Sequence, residues 1–247
     1  MATRDSILSK LNEWLQPESF QDYCPNGLQV EGKSDVNTIV TGVTASRALI
    51  EAAIAANADM VIVHHGYFWK GEDQRIRGMK RERLKRLLDN DISLVAYHLP
   101  LDDHPEYGNN RQLADVLGIE NPRPLNGLVW EGELQQAMSP ETFGLHIARA
   151  LHREPLRVGD GKAEIKRVGW CTGAAQGFIN TALDAGLDAY ISGEISEPTT
   201  HVARECSIHY YAAGHHATER YGVKALGVAL EKEFGLSHRF IDCDNPV

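Results

Sequence analysis

The sequence predicts a layered α/β fold assembled twice from similar parts, and three observations lead to it. The first half alternates β-α-β-α-β, the second half repeats that order, and small details recur at matching places. Such alternation places helices on the faces of a sheet.

The elements follow in order. Ser6 offers a cap to a first helix, in which Ile7, Leu8, Leu11, Trp14 and Leu15 repeat at helical spacing. Asp22-Tyr23-Cys24-Pro25-Asn26-Gly27 is turn-rich, with Asn-Gly as its strongest loop signal. Residues 38–41 read as a strand, 46–56 as a helix, 60–63 as a strand, 79–89 as a helix and 92–97 as a strand. In the second half, 168–172, 189–192 and 208–213 read as strands, and 177–185 and 201–205 as helices. A closing helix over 219–234 carries Val223, Leu226, Leu230 and Phe234 on one face.

Thr41-Gly42 answers Thr172-Gly173, Ala58-Asp59 answers Leu187-Asp188, and His98/Asp102 answers His215/Glu219. Where the first half ends its second strand in His64-His65, the other ends in Gly193-Glu194. Residues 121–166 hold a strand over 133–138 and a helix opened by Ser139-Pro140-Glu141 as N-cap, N1 and N2. That segment reads as an inserted part of the second half, which gives two repeats, 1–120 and 121–247.

Composition narrows the function. With 247 residues, 43% hydrophobic and 24% charged, the chain has the make-up of a globular protein with ample core. No apolar run approaches the ~20 residues of a membrane span, and the first residues, Met-Ala-Thr-Arg-Asp, contain no apolar signal region. The four cysteines are scattered without a C-x-x-C pair, as expected of reduced thiols in a cytoplasmic protein. A formal charge of −9 argues against a nucleic-acid binder that neutralises phosphates. The expected partner is a small molecule or another copy of the chain.

The chemistry-bearing residues sit where apolar runs end. His64-His65 follows Met60–Val63, His98-x-x-x-Asp102 follows residues 92–97, and His215-x-x-x-Glu219 follows residues 208–213. Imidazoles and carboxylates without a thiol suit borderline to hard divalent metals. Adjacent residues on a strand point to opposite sides. His64 and His65 therefore share one ion only if the strand has ended, or else each serves one ion of a pair. A chain with 11 histidines also yields an adjacent pair by chance. His215 and Glu219 would share a side of a helical turn, whereas Pro100 makes 98–102 read as a loop. Asp102 and Glu219 also suit bland roles, as an exposed acid at a strand exit or near a helix N-terminus.

Phe68-Trp69-Lys70 could stack a base and hold a phosphate, or equally form a subunit contact. Residues 75–86 are rich in Arg and Lys, which reads as a solvated helix face, although Arg75 and Arg77 lie near the His64-His65 loop in sequence. Cys24 has no partner at metal-ligand spacing and reads as a core or loop thiol. Gly42, Gly173 and Gly193 lack a full phosphate-binding fingerprint and read as backbone requirements.

Taken together, several motifs resemble one family. They are Asp22-x-x-Pro25-Asn26-Gly27-Leu28-Gln29-Val30, Val63-His64-His65-Gly66, His98-x-x-x-Asp102, Gly108-Asn109-Asn110, Ser192-Gly193-Glu194 and Gly214-His215-x-x-Thr218-Glu219. In this order they resemble the NIF-three-like family, whose bacterial branch includes the YbgI-type dinuclear metal-centre proteins described as GTP cyclohydrolase 1 type 2 homologues. The resemblance spans nearly the whole chain. It implies a duplicated fold of two intertwined halves with mixed sheets, a toroidal homohexamer, and two divalent ions per subunit. The implied ligands are His64, His65, Asp102, His215 and Glu219, with His98 beside the site and Asp103 and His216 out of register.

The expected function is a metal-dependent hydrolase acting on a nucleotide-like or cyclic-amide substrate, such as a modified or damaged nucleotide. His98 is the candidate acid–base, and Trp69, Lys70 and Arg77 are candidate substrate contacts. Iron, manganese, zinc and nickel all suit the ligands. The competing expectation is a non-catalytic, metal-organised hexamer that binds a regulatory partner.

Overall fold

The computed structural model describes residues 2–247. They form two compact units, between which the chain passes repeatedly. The first takes in the chain up to Gly108 together with Gly222–Asp244; the second comprises Asn109–Tyr221 and Asn245–Val247. Each unit is built on a mixed sheet flanked by helices.

Three parallel strands, β1 (Thr38–Thr44), β2 (Met60–His65) and β3 (Ser93–Ala96), form the middle of the first unit's sheet. Ser237–Phe240 extends it in parallel beside β1, and Gly27–Val30 runs antiparallel beside β3. Met60, Val61, Ile62 and Val63 are fully buried, as an apolar run covered on both faces should be. Alternation sorts the contacts. Ile39, Met60, Ile62 and Val95 pack with Ile7 and Leu11 of the first helix and with Val223, Leu226 and Leu230 of the closing helix. On the other face Val40, Val61, Val63 and Leu94 pack with Leu49, Ile50, Ala53 and Leu87.

The second unit also has a parallel middle: β4 (Ile165–Cys171), β5 (Ala189–Ser192) and β6 (His209–Ala212). Val129–Met138 lies antiparallel to β4 with Ile119–Asn126 beyond it, and Leu156–Val158 runs antiparallel to β6. Trp170, Phe143, Ile147 and Tyr211 fill one side of its core, and Tyr190, Tyr210, Ile179 and Ala203 the other.

Each unit has its own copy of one locking device. Buried Asp59 accepts the amides of Asn37 and Thr38 at 2.7 and 3.0 Å, fixing where β1 begins. Buried Asp188 does the same for Lys166 and Arg167 at 3.0 and 2.8 Å on β4. Each carboxylate is also paired to a lysine, Lys33 for Asp59 and Lys162 for Asp188.

Several expectations need correction. The first helix, Arg4–Leu15, is capped by Thr3, whose hydroxyl accepts the Ser6 amide, so Ser6 lies inside it. Leu99–Asp103 is a short helix, not a loop: Pro100 falls in its first turn, where a missing N–H costs nothing. The strand expected at 133–138 begins at Val129, and Ile119–Asn126 is a strand despite Pro122 and Pro124. It lies at the sheet edge, where proline is tolerated. The helix Glu197–Glu205 starts earlier than expected, with proline in its first turn. Ser139 caps its helix as anticipated, accepting the Thr142 amide, and Ser46, expected as the first helical residue, is the N-cap, accepting the Leu49 amide. No helix among the described residues is long and apolar enough to cross a membrane.

The buried aspartates make a stability prediction. Desolvation opposes their ionisation, but the lysines and backbone amides outweigh it and hold both below the ordinary value of 3.8. A depressed carboxylate contributes stability above its unfolded pKa and loses it as pH falls through the folded one. Asp188→Ala strands two strand amides and should cost about 2–4 kcal/mol in urea unfolding at pH 7. The penalty relative to the parent protein should shrink as pH is lowered below about 3.8. A constant penalty down to acid pH would contradict the assignment.

Candidate metal centre

In the first unit the carboxyl ends of β2 and β3 gather histidines. His64 and His65 close β2, and His98 follows β3 as N-cap of the Leu99–Asp103 helix. The ring centroids of His64 lie 4.6 Å from His65 and 5.0 Å from His98. These three residues can present donor atoms all within 4.8 Å of one another. The short helix places Asp102 one turn after His98, and its Oδ1 lies 3.5 Å from His64 Nε2.

Each ring is held through its other nitrogen. His64 Nδ1 donates to the Tyr97 carbonyl at 3.0 Å, an acceptor that fixes the tautomer. His65 Nδ1 is bonded to the Thr44 hydroxyl at 3.2 Å, its register partner on β1. His98 Nδ1 donates to Asp22 Oδ1 at 2.7 Å. Thus the adjacent pair is steered from β1 on one side and from the residue after β3 on the other, and Nε2 is the nitrogen each ring offers onward.

Asp22 is a support of this cluster, and sequence reasoning assigned it no role. Its two oxygens accept from the Tyr23 amide, His98, the Asn26 side chain and the Leu99 amide, at 2.6, 2.7, 2.9 and 2.9 Å. Burial disfavours its charge, yet His98 and Asn26 overcome that and hold its pKa at about 2. With both oxygens engaged, Asp22 orients rather than ligates. Asn26 in turn accepts the His98 amide, so the Asp22–Asn26 turn exists to set this histidine. The presence of both residues in one turn-rich motif was the available signal. Cys24 can come within 4.8 Å of the Asp22 and His98 donors, but burial, with help from Asp22, pushes its thiol up to about 12. A protonated thiol is a poor ligand.

The second unit carries a smaller cluster. His215 opens the short helix His215–Thr218 after β6, and Glu219 follows it. His215 Nε2 lies 3.2 Å from Glu219 Oε2, while its Nδ1 donates to Glu194 Oε1 at 2.7 Å. Glu194 thus plays for His215 the part Asp22 plays for His98. Thr218 is fully buried; its hydroxyl contacts the carbonyls of Gly214 and His215 at 2.9 Å and accepts the Gly173 amide at 3.1 Å. Gly173, at φ +67, leaves the space Glu219 occupies: a Cβ there would lie 2.1 Å from Glu219 Oε1.

These groups fit a divalent metal. Imidazole nitrogens held by carbonyl or carboxylate partners are the usual form of a metal-ligating histidine. Nitrogen–oxygen spacings of 3.2 and 3.5 Å match the edge of a coordination shell with bonds of about 2.0–2.2 Å.

The remaining candidates are placed less uniformly. Trp69 stands edge-on to His98 with centroids 5.0 Å apart, its indole N–H on the Gly66 carbonyl. Trp69 and Lys70 line a cavity of about 450 Å³ with Phe68, Gln74 and Lys80. Arg77 is exposed, pairs with Asp73 at 3.1 Å and does not line that cavity. Asp103 is half-buried and its pKa is raised by desolvation. His216 is buried, its amide bonded to the Val247 oxygen at 3.1 Å.

Comparison with known proteins fits this picture. The model of the Duf34/NIF3 family (NGG1p interacting factor 3) matches residues 2–246. The chain belongs to the Duf34/NIF3 family. A Pseudomonas aeruginosa relative named GTP cyclohydrolase 1 type 2 homolog is 56% identical over 246 residues, covering 98% of this chain and 97% of its own. A Vibrio cholerae relative of the same name is 56% identical, covering 96% of both chains. Among solved structures of the family, protein ybgI superposes with a TM-score of 0.97 at 52% identity, over 99% of this chain and all of its own. The Thermus thermophilus protein TTHA1606 superposes with a TM-score of 0.92 at 33% identity, again over 99% and 100%.

The second cluster is open to two tests. Gly173→Ala should displace the Glu219 carboxylate and lower bound metal, measured by elemental analysis of folded protein, with little change in circular dichroism. In metal-free protein, burial opposes the His215 imidazolium, but Glu219 and Glu194 raise its pKa to about 9. Metal must displace that proton, so affinity should rise about tenfold per pH unit up to about pH 9. The ion pair itself stabilises the metal-free fold below the unfolded value and is lost as pH rises through about 9. A metal affinity independent of pH between 7 and 9 would refute the pairing.

Proposed function

We propose that this chain holds two divalent ions and serves as a metal-dependent hydrolase. The reading rests on one observation above all: His64, His98 and His215 each donate Nδ1–H to an oxygen acceptor and offer Nε2 onward, with a carboxylate beside His64 and His215. His64, His65, Asp102, His215 and Glu219 are the proposed ligands, with iron, manganese, zinc or nickel as the ion. The name carried by the relatives, GTP cyclohydrolase 1 type 2 homolog, supports a ring-opening reaction on a nucleotide-like or cyclic-amide substrate. Held by these residues, two such ions would supply an acidified water and polarise the bond under attack.

The chain's own groups do the rest. Asp102 and Glu219 offset the repulsion between the cations. His98, tethered by Asp22, keeps its proton on Nδ1 and can accept or return one at Nε2. Trp69 offers a ring for a planar substrate, and Lys70 a cation for its anionic part. Arg77 joins them only by leaving Asp73.

Metal-reconstituted protein should be screened against nucleotides and cyclic amides, with His65→Ala as the inactive control. Activity equal in wild type and His65→Ala would sink the reading. On an identified substrate at saturating metal, Asp102→Asn and Glu219→Gln should cost at least about a hundredfold, and Asp103→Asn less than about threefold. If Asp103→Asn were the more damaging, the charge-balancing role would pass from Asp102 to Asp103.

Metal content tests the ligand set directly. His64→Ala and His215→Ala should each bind well below the wild-type stoichiometry, while His146→Ala, whose ring is bonded to the Leu117 carbonyl, should bind normally.

A second reading, a metal-organised homohexameric scaffold for a regulatory partner, draws on the exposed Tyr23, Phe68, Ile76 and Met79. Light scattering should give the mass of a hexamer across dilution and moderate salt; a monomer mass would reject the assembly.

A further inference from the structure

The turn that presents His215 is held from outside by two parts of the second unit that contribute no ligand. Gly214, immediately before His215, has φ +99 and ψ 127, a backbone conformation that only glycine adopts readily. A Cβ at this position would lie 2.5 Å from Arg153 Nε and 2.7 Å from Arg153 Cδ. The arginine stem therefore lies flat against the Gly214 α-carbon. The guanidinium of Arg153 then donates through Nη1 to the Pro246 carbonyl. One residue further on, the Val247 oxygen accepts the amide of His216 at 3.1 Å. Val247 is itself tied back, its amide donating to Asn245 Oδ1 at 3.0 Å.

Arg153 is well placed for this. It follows the Pro140–Leu151 helix, whose C-cap His152 is left-handed, and its own amide is bonded to the Ala148 carbonyl. Its stem thus leaves a rigid helix end. We propose that Arg153 and Asn245–Val247 form a brace that fixes the Gly214–His216 backbone and so positions His215 for metal.

This rests on the reading of His215 as a ligand. The chemistry requires such a brace. The His215–Thr218 helix is a single turn, too short to hold its own geometry, and the ring is aimed by a glycine that would otherwise sample many conformations. Glu194 fixes the rotation of the ring, and Thr218 fixes the far end of the turn. The brace fixes its beginning.

The test uses the full chain with zinc(II) and cobalt(II) as probes. Zinc affinity is measured by competition with a chromophoric chelator, and cobalt coordination by the visible absorption bands. Arg153→Ala and deletion of Pro246 and Val247 should each weaken zinc binding about tenfold, the scale of other supporting contacts. Both should also shift the cobalt bands, which a mere loss of global stability would leave in place. The combined variant should bind no worse than about threefold below either alone, because both remove one device. Arg153→Lys, which keeps the stem over Gly214, should recover part of the loss. Arg157→Ala, which breaks a surface pair with Glu141, is the control and should bind as wild type.

His215→Ala runs in the same assay. Should it keep wild-type zinc affinity, the ligand reading would fail and the brace with it. If His215→Ala lost zinc while Arg153→Ala and the deletion stayed within about twofold of wild type, the brace alone would be overturned.

Discussion

A parallel strand buried on both faces can carry an ionisable side chain only where it ends, and this constraint organises the molecule. Met60–Val63 are fully buried, and the first ionisable residues of β2 are His64 and His65 at its end, where the Tyr97 carbonyl and the Thr44 hydroxyl satisfy them. The same holds for His98 after β3, Glu194 after β5 and His215 after β6. At the opposite ends of the sheets, Asp59 and Asp188 are tolerated because strand amides and lysines satisfy them. Polar groups thus concentrate at two edges of each sheet. One edge locks register, and the other gathers imidazoles and carboxylates.

The offered groups are useful because they are held. In the first unit a backbone carbonyl, a threonine hydroxyl and a buried aspartate each take one imidazole by Nδ1. In the second, Glu194 takes His215, Thr218 ties its turn to Gly173, and Gly173 makes room for Glu219. The fold brings these supports from residues distant in sequence, on neighbouring strands or in the turns beside them. A ring so constrained loses little freedom when it binds, which favours affinity through preorganisation.

Much of this was legible in the sequence because it is local. Apolar runs of four to six residues ending in His-His or in His-x-x-x-carboxylate marked three strand exits, and Ser46 and Ser139 stood at helix starts. What escaped was set by tertiary position. Pro122 and Pro124 argue against a strand until that strand is known to be an edge. Pro100 argues for a loop until a helix is known to begin at Leu99. Asp22 and Glu194 stood in recognisable motifs, but their work depends on histidines 76 and 21 residues away. Hydrogen bonds across such separations have no periodicity by which a sequence could announce them.

The path of the chain between the units has a consequence for biosynthesis. The first unit's sheet includes Ser237–Phe240, and one face of its core includes Val223, Leu226 and Leu230. As the ribosome releases the chain from its N-terminus, β1 to β3 emerge long before the strand and helix that cover them. Residues 109–221 can meanwhile close nearly all of their own core. The later-made unit is therefore the first able to mature. The earlier one must wait as a nascent intermediate with apolar surface exposed, a stage at which cellular holdases have most to protect.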